Sequence, residues 1–152
     1  MLLNTFPTTR RNERGGSLIE FTVIASFFFL MIIGIVAAGN LYYTHNALVE
    51  ATRRGARYAV MHPDGRITDV RNVVLYGTTT PSQGATSLIY NLQPDNITVV
   101  YTGLNVAQGT VSVTINDYTF PFVLPTKTTS ITMPPYRTTL TGESAGFIPP
   151  DI

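Results

Sequence analysis

From Phe21 to Gly39 the sequence carries no charge: FTVIASFFFLMIIGIVAAG. At about 1.5 Å rise per residue an α-helix of that length covers roughly 28 Å, which matches a bilayer hydrocarbon core of about 30 Å. The run is therefore expected to span a membrane at about residues 21–39. A secretory signal peptide has a shorter apolar region, about 7 to 15 residues, closed by a small-residue cleavage site. Here helix-forming sequence continues instead. No proline interrupts LYYTHNALVEATRRGARYAVM before His62-Pro63, and the residue before a proline disfavours the α region. One helix from about Ser17 to Met61 is predicted. Ahead of it lies a polar, basic segment in which Arg10, Arg11 and Arg14 outweigh Glu13.

The outer half of this helix has two faces. Ala47, Ala51, Gly55 and Ala59 recur at every fourth residue, and Glu50, Arg53, Arg54 and Arg57 gather on the other side, with Glu50 and Arg54 spaced for an ion pair. Small side chains let another backbone come close, either the protein's own sheet or the helix of another subunit. After HPDG the texture changes. ITDVRNVVLYG reads as a short helix begun by Thr68 or Asp69 and ended by Gly77. ITVVYT, GTVSVTI, YTFPFVL and TSITM read as strands, being short, β-branched or aromatic, and bounded by turn residues. In VSVTI the alternation places Val111, Val113 and Ile115 toward a core and Ser112 and Thr114 toward solvent. Asn116-Asp117 suits a tight hairpin turn, and the proline-rich tail from Met133 is expected at an edge or free of the sheet. The fold class expected is α+β, a long amino-terminal transmembrane helix followed by a small, mostly antiparallel β-sheet domain.

Composition removes several function classes. Ten basic and nine acidic residues leave a formal charge of +1, far from the basic footprint of a nucleic-acid binder. Without cysteine there are no disulfides, thiolate metal sites or thiol nucleophiles. GESAG at 142–146 spells the G-x-S-x-G nucleophile elbow, but that motif needs an acid and then a histidine later in the chain. Only Asp151 follows Ser144, and His45 and His62 lie far upstream. The two histidines stand roughly 100° apart around a helix and do not make a metal pair. Asp95 and Asp117 suit turns, Gly34 and Gly39 lack the Lys-Ser or Lys-Thr of a phosphate loop, and Asn96-Ile97-Thr98 is a glycosylation sequon. No enzyme activity, cofactor or metal is expected.

Glu20 stands at the mouth of the apolar run. A charge at the centre of a membrane helix costs on the order of 2.5 to 3.5 kcal/mol, and less near an end. Ser17-Leu18-Ile19-Glu20 fits an S-x-x-E capping box, which would account for the acid with no partner. That account leaves Arg14-Gly15-Gly16 unexplained. Taken together, the basic leader, Gly15-Gly16, Glu20-Phe21 and the uncharged helix resemble a class III type IV prepilin signal. The wider pattern of RGGSLIEF, GARYA after the long helix, VSVTINDYTFPF and TTLTGESAGFIP is similar to the TadE-like pseudopilins of the tight-adherence (Tad, or Flp) pilus system.

The resemblance implies a prepilin leader over 1–15, a long helix over 16–62 with its span at about 21–39, and an extracytoplasmic β-rich domain over 63–152. It implies cleavage by a prepilin peptidase between Gly15 and Gly16, which makes Glu20 fifth in the mature chain. Cleavage after Gly16 would make it fourth. The new amine would pair with Glu20, most simply that of a neighbouring subunit. The implied partners are the peptidase, the major Flp pilin, a related pseudopilin, the inner-membrane assembly platform and membrane lipid. The implied function is a minor structural subunit of pilus assembly, with a role in adhesion or biofilm formation, held in the bacterial inner membrane with its carboxyl-terminal domain in the periplasm, or located in the extracellular pilus after assembly. The alternative from the residues alone is an uncleaved single-span membrane protein with a periplasmic binding domain.

Overall fold

The computed structural model describes residues 14–62, 66–103, 109–123 and 128–142. Helix α1 runs Arg14–Met61 and α2 runs Ile67–Tyr76. Five strands follow: β1 Ile97–Thr102, β2 Thr110–Ile115, β3 Thr119–Val123, β4 Thr128–Thr132 and β5 Tyr136–Thr141. The class is α+β, as the sequence predicts: a long apolar helix and then small antiparallel sheets. The chain divides into two compact units, Met1–Val36 and Ala37–Ile152, so the outer half of α1 belongs to the same unit as the strands.

Within that second unit one stripe of α1 forms a wall of the core. Leu48, Ala51, Ala56, Ala59 and Val60 are buried with Val70 and Val74 of α2 and with Ile97, Val111, Val113 and Ile115 of the sheet. Each fully buried Val, Leu or Ile contributes roughly 1.5 to 3 kcal/mol. Gly55 sits at the closest approach. A Cβ there would collide with the Val74 side chain and reach ordinary contact with Val113 and Val70, so a larger residue at this position would push against α2. Thr52 is buried on the same stripe, and its hydroxyl bonds Val49 O at 2.8 Å and Thr138 Oγ1 at 2.9 Å. A buried hydroxyl is tolerated when so satisfied.

Arg54 leaves the surface pairing that its spacing to Glu50 suggests. Its Nε donates to Val73 O at 3.0 Å and its Nη2 to Val74 O at 3.1 Å, covering carbonyls in the last turn of α2. Gly77 completes that end in the left-handed conformation at φ 75°, its N–H donating to Val73 O. At the other end Arg66 occupies the cap position and no side chain caps the helix. Neither Thr68 nor Asp69 plays that part.

β1, β2 and β5 form one antiparallel sheet in that order, and β3 pairs only with β4 in a second. Asn116-Asp117 is therefore a turn between sheets rather than the predicted hairpin. Asp117 takes a left-handed φ of 54°, and Asn96 holds the turn by donating from Nδ2 to Asn116 O at 3.0 Å. The segment YRTTLT, expected outside the sheet or along its edge, is the edge strand β5. Val111, Val113 and Ile115 face the core as predicted. Ser112 does not face open solvent, because Arg137 Nε donates to its Oγ at 2.7 Å and the side chains of β5 fold over the central strand.

Gly55→Ala is expected to destabilise the outer unit by about 1 to 3 kcal/mol through overpacking, read as a lower midpoint in near-ultraviolet circular dichroism melts. Gly39→Ala, where a Cβ meets nothing within 4 Å, should leave the midpoint unchanged. A second expectation concerns Tyr118, a core residue whose hydroxyl donates to Tyr90 O at 2.8 Å. Burial first, and then the neighbouring Tyr136 and Tyr90, hold its phenol above the ordinary 10.0. A group whose folded pKa is raised contributes stability that is complete below its unfolded pKa and is lost as pH rises through the folded one. Denaturant unfolding should therefore show stability falling above about pH 10, with a shallower fall in Tyr118→Phe.

Candidate functional site

The amino-terminal unit contains the residues that the resemblance picks out for processing and pairing. Gly15, Gly16 and Glu20 are exposed, and nothing lies within 4 Å of the Cβ positions of either glycine. Helix α1 already includes Gly15, Gly16 and Ser17. A capping box requires its Ser outside the helical turns, so in the uncut chain Ser17 is not a cap and Glu20 is not held by one. The leader residues 1–13 lie outside the described residues, as do Pro63 to Gly65.

On both sides of Glu20, from Leu18 onward, the helix exposes apolar side chains around its whole circumference. Leu18, Phe21, Val23, Phe27, Leu30, Ile35 and Val36 are each at least half exposed, with Phe27 at 73%. A window within this helix has a mean hydropathy of 2.6 and is long and apolar enough to cross a membrane. Its few hydroxyls turn back on the helix, Thr22 Oγ1 donating to Leu18 O at 2.8 Å and Ser26 Oγ to Thr22 O at 2.7 Å. This is the internal satisfaction that a lipid environment demands.

In the outer unit the small-residue stripe is turned inward. Ala51, Gly55 and Ala59 are buried and Ala47 is half-buried against the same core. Their partners include α2 and β2 of this chain. His45 lies at the surface, where its Nδ1 shares a hydrogen bond of 2.8 Å with Tyr136 Oη and the rings meet edge to face at 5.2 Å. Burial pushes the Tyr136 phenol up, so it stays protonated at neutral pH. His62 stacks on Tyr58 at 4.2 Å and bonds its carbonyl. The two histidines thus have separate partners. Asn96 of the sequon holds the turn at Asn116 and caps Gln93 N through Oδ1. Ser144 of the elbow-like motif, and Asp151, lie outside the described residues.

Sequence reasoning passed over a second group, the exposed aromatics at the start of the outer unit. Tyr42 and Tyr43 follow the uncharged run at once and are 69% and 74% exposed. A tyrosine pair just past an apolar span is the signal that could have found them.

The family model described as TadE-like protein matches residues 15–57. No curated protein and no solved structure matches the chain. The matched segment covers Gly15, Gly16, Glu20, the exposed apolar run and the inward stripe as far as Gly55. By this match the helical segment is similar to that of TadE-like proteins, and its exposed apolar run is long enough to cross a membrane.

Proposed function

We propose that the chain is a minor pilin-like structural subunit for assembly of a Tad/Flp pilus, without catalytic activity of its own. The observation that carries this is the contrast along α1: an apolar segment exposed from Leu18 to Val36, followed by one whose stripe from Leu48 to Val60 is the core of a folded unit. The first part is free to pass between lipid and the helices of other pilins. The second cannot leave its own domain without exposing the core. Packing between subunits is thus assigned to the Leu18–Val36 segment, and the Ala51, Gly55 and Ala59 stripe to seating the outer domain.

On this reading the inner membrane holds α1 at about residues 21–39 and the β-rich domain lies in the periplasm. A prepilin peptidase cuts between Gly15 and Gly16, where the exposed, uncrowded glycines present backbone without side-chain obstruction. The freed amine and the Glu20 carboxylate of a neighbour then neutralise each other in an apolar setting, where an unpaired charge costs most. Major pilin, a related pseudopilin and the assembly platform are the partners, and the outer domain primes or tunes the fibre that serves adhesion.

Mass spectrometry of the protein from cells with and without the peptidase tests this, with Glu20→Ala run alongside. The expected mature chain begins at Gly16 only when the peptidase is present, and Glu20→Ala inserts normally yet fails to support pilus assembly. A chain beginning at Met1 in both strains would leave an uncleaved single-span protein with an outer binding domain.

A further inference from the structure

The first turns of α1 within the outer unit are flanked by two open grooves. One, of about 520 Å³, lies between Ala38, Leu41 and Tyr42 on the helix and Ile131, Met133 and Pro134 beside it. The other, of about 350 Å³, lies between Tyr43 and Ala47 and the segment Leu88, Tyr90 with Pro121. Their rims carry five of the outer unit's exposed large apolar side chains: Tyr42, Tyr43, Leu88, Tyr90 (77% exposed) and Ile131. Among the described residues only Met61, Ile67 and Val100 are exposed in this way elsewhere on the unit.

Charge is distributed in the opposite sense. No Asp, Glu, Lys or Arg occurs from Phe21 to Val49, from Gly77 to Pro94, or from Thr128 to Tyr136. Those stretches, with Phe120 and Pro121 from the likewise uncharged residues 118–126, supply the walls of both grooves. The charged residues of the helical layer, Glu50, Arg53, Arg54, Arg57, Arg66, Asp69 and Arg71, all come from later parts of α1 or from α2 and its approach. Tyr42 stands three residues beyond Gly39, about 4.5 Å further along a helix, so the collar is continuous with the apolar run. Tyrosine, with an apolar ring and a polar tip, is the side chain suited to the layer between acyl chains and water.

We propose that this uncharged collar is a lipid-binding surface, by which the outer domain rests on the glycerol and upper acyl-chain layer of the bilayer that α1 crosses. Three separate stretches of sequence, at Tyr42-Tyr43, Leu88–Tyr90 and Ile131, enter the interface together. The walls of the two grooves hold no cation, and Arg54 beside Tyr43 and Leu88 is bonded to carbonyls of α2, so the attachment does not depend on anionic lipid. The proposal rests on the membrane-spanning reading of residues 21–39.

The chain has no tryptophan, so single reporters can be introduced into the full-length protein: Tyr42→Trp, Tyr90→Trp and Ile131→Trp in the collar, Val100→Trp on the exposed face of β1 and Phe29→Trp in the span. Each is reconstituted at high dilution in phosphatidylcholine vesicles, with or without phosphatidylglycerol, using lipids brominated high or low on the acyl chains. The three collar reporters are expected to be quenched by the shallow bromines, equally in both lipid mixtures, while Val100→Trp keeps its emission. Phe29→Trp is quenched by the deep bromines. Quenching at Phe29→Trp with none at Tyr90→Trp and Ile131→Trp would overturn the collar and leave the span standing. Loss of quenching at every position would remove the span as well. Collar reporters shielded only at high protein density, without bromine quenching, would assign the surface to a neighbouring protein and contradict the proposal.

Discussion

A helix that is apolar on every side cannot bury itself against a single partner surface, and this constraint sets the rest of the structure. From Leu18 to Val36 the chain offers lipid or other helices a cylinder of Phe, Ile, Leu and Val. The outer unit has its own core and does not draw on these side chains. Residues that would be a liability in water are, in a bilayer, the lowest-energy arrangement available, with hydroxyls bonded to the preceding turn and backbone groups paired within the helix.

Farther along the same helix the requirement reverses. From Leu48 to Val60 only one stripe is buried, and its small residues admit α2 and β2 so closely that Gly55 has no room for a methyl group. The larger side chains lie beside that stripe, and Arg54 ties the outer face of α1 to the end of α2. The helix is therefore both anchor and structural wall. Packed side chains fix the outer half of the helix to α2 and the sheet.

Much of this was legible in the residues. The uncharged run, the helix up to the His62-Pro63 stop, the fourth-residue stripe and the alternation in β2 follow from periodicity, which is a local property. What escaped depends on distant pairing. β5 was hidden because Pro134 and Pro135 precede it and its Thr-rich sequence has little apolar alternation, yet as an edge strand it needs to bond β2 on one side only. Asn116-Asp117 has hairpin chemistry, but β2 is already flanked by β1 and β5, so β3 must leave the sheet. Ser112 is covered by Arg137, a residue on another strand. Of the candidate site, Gly15, Gly16 and Glu20 were marked by their place before the run, whereas the approach of Ile131 to Tyr42 and of Tyr90 to Tyr43 is visible only in three dimensions.

The central claim is that one helix serves two environments, lipid below and a folded domain above. Its most direct measurement uses the absence of native cysteine, with Ser26→Cys placed in the apolar segment and Thr98→Cys on the exposed face of β1, each probed by a membrane-impermeant maleimide on intact spheroplasts. The account predicts that Thr98→Cys is labelled at once and Ser26→Cys only after the membrane is dissolved. Equal labelling of both in intact spheroplasts would contradict it.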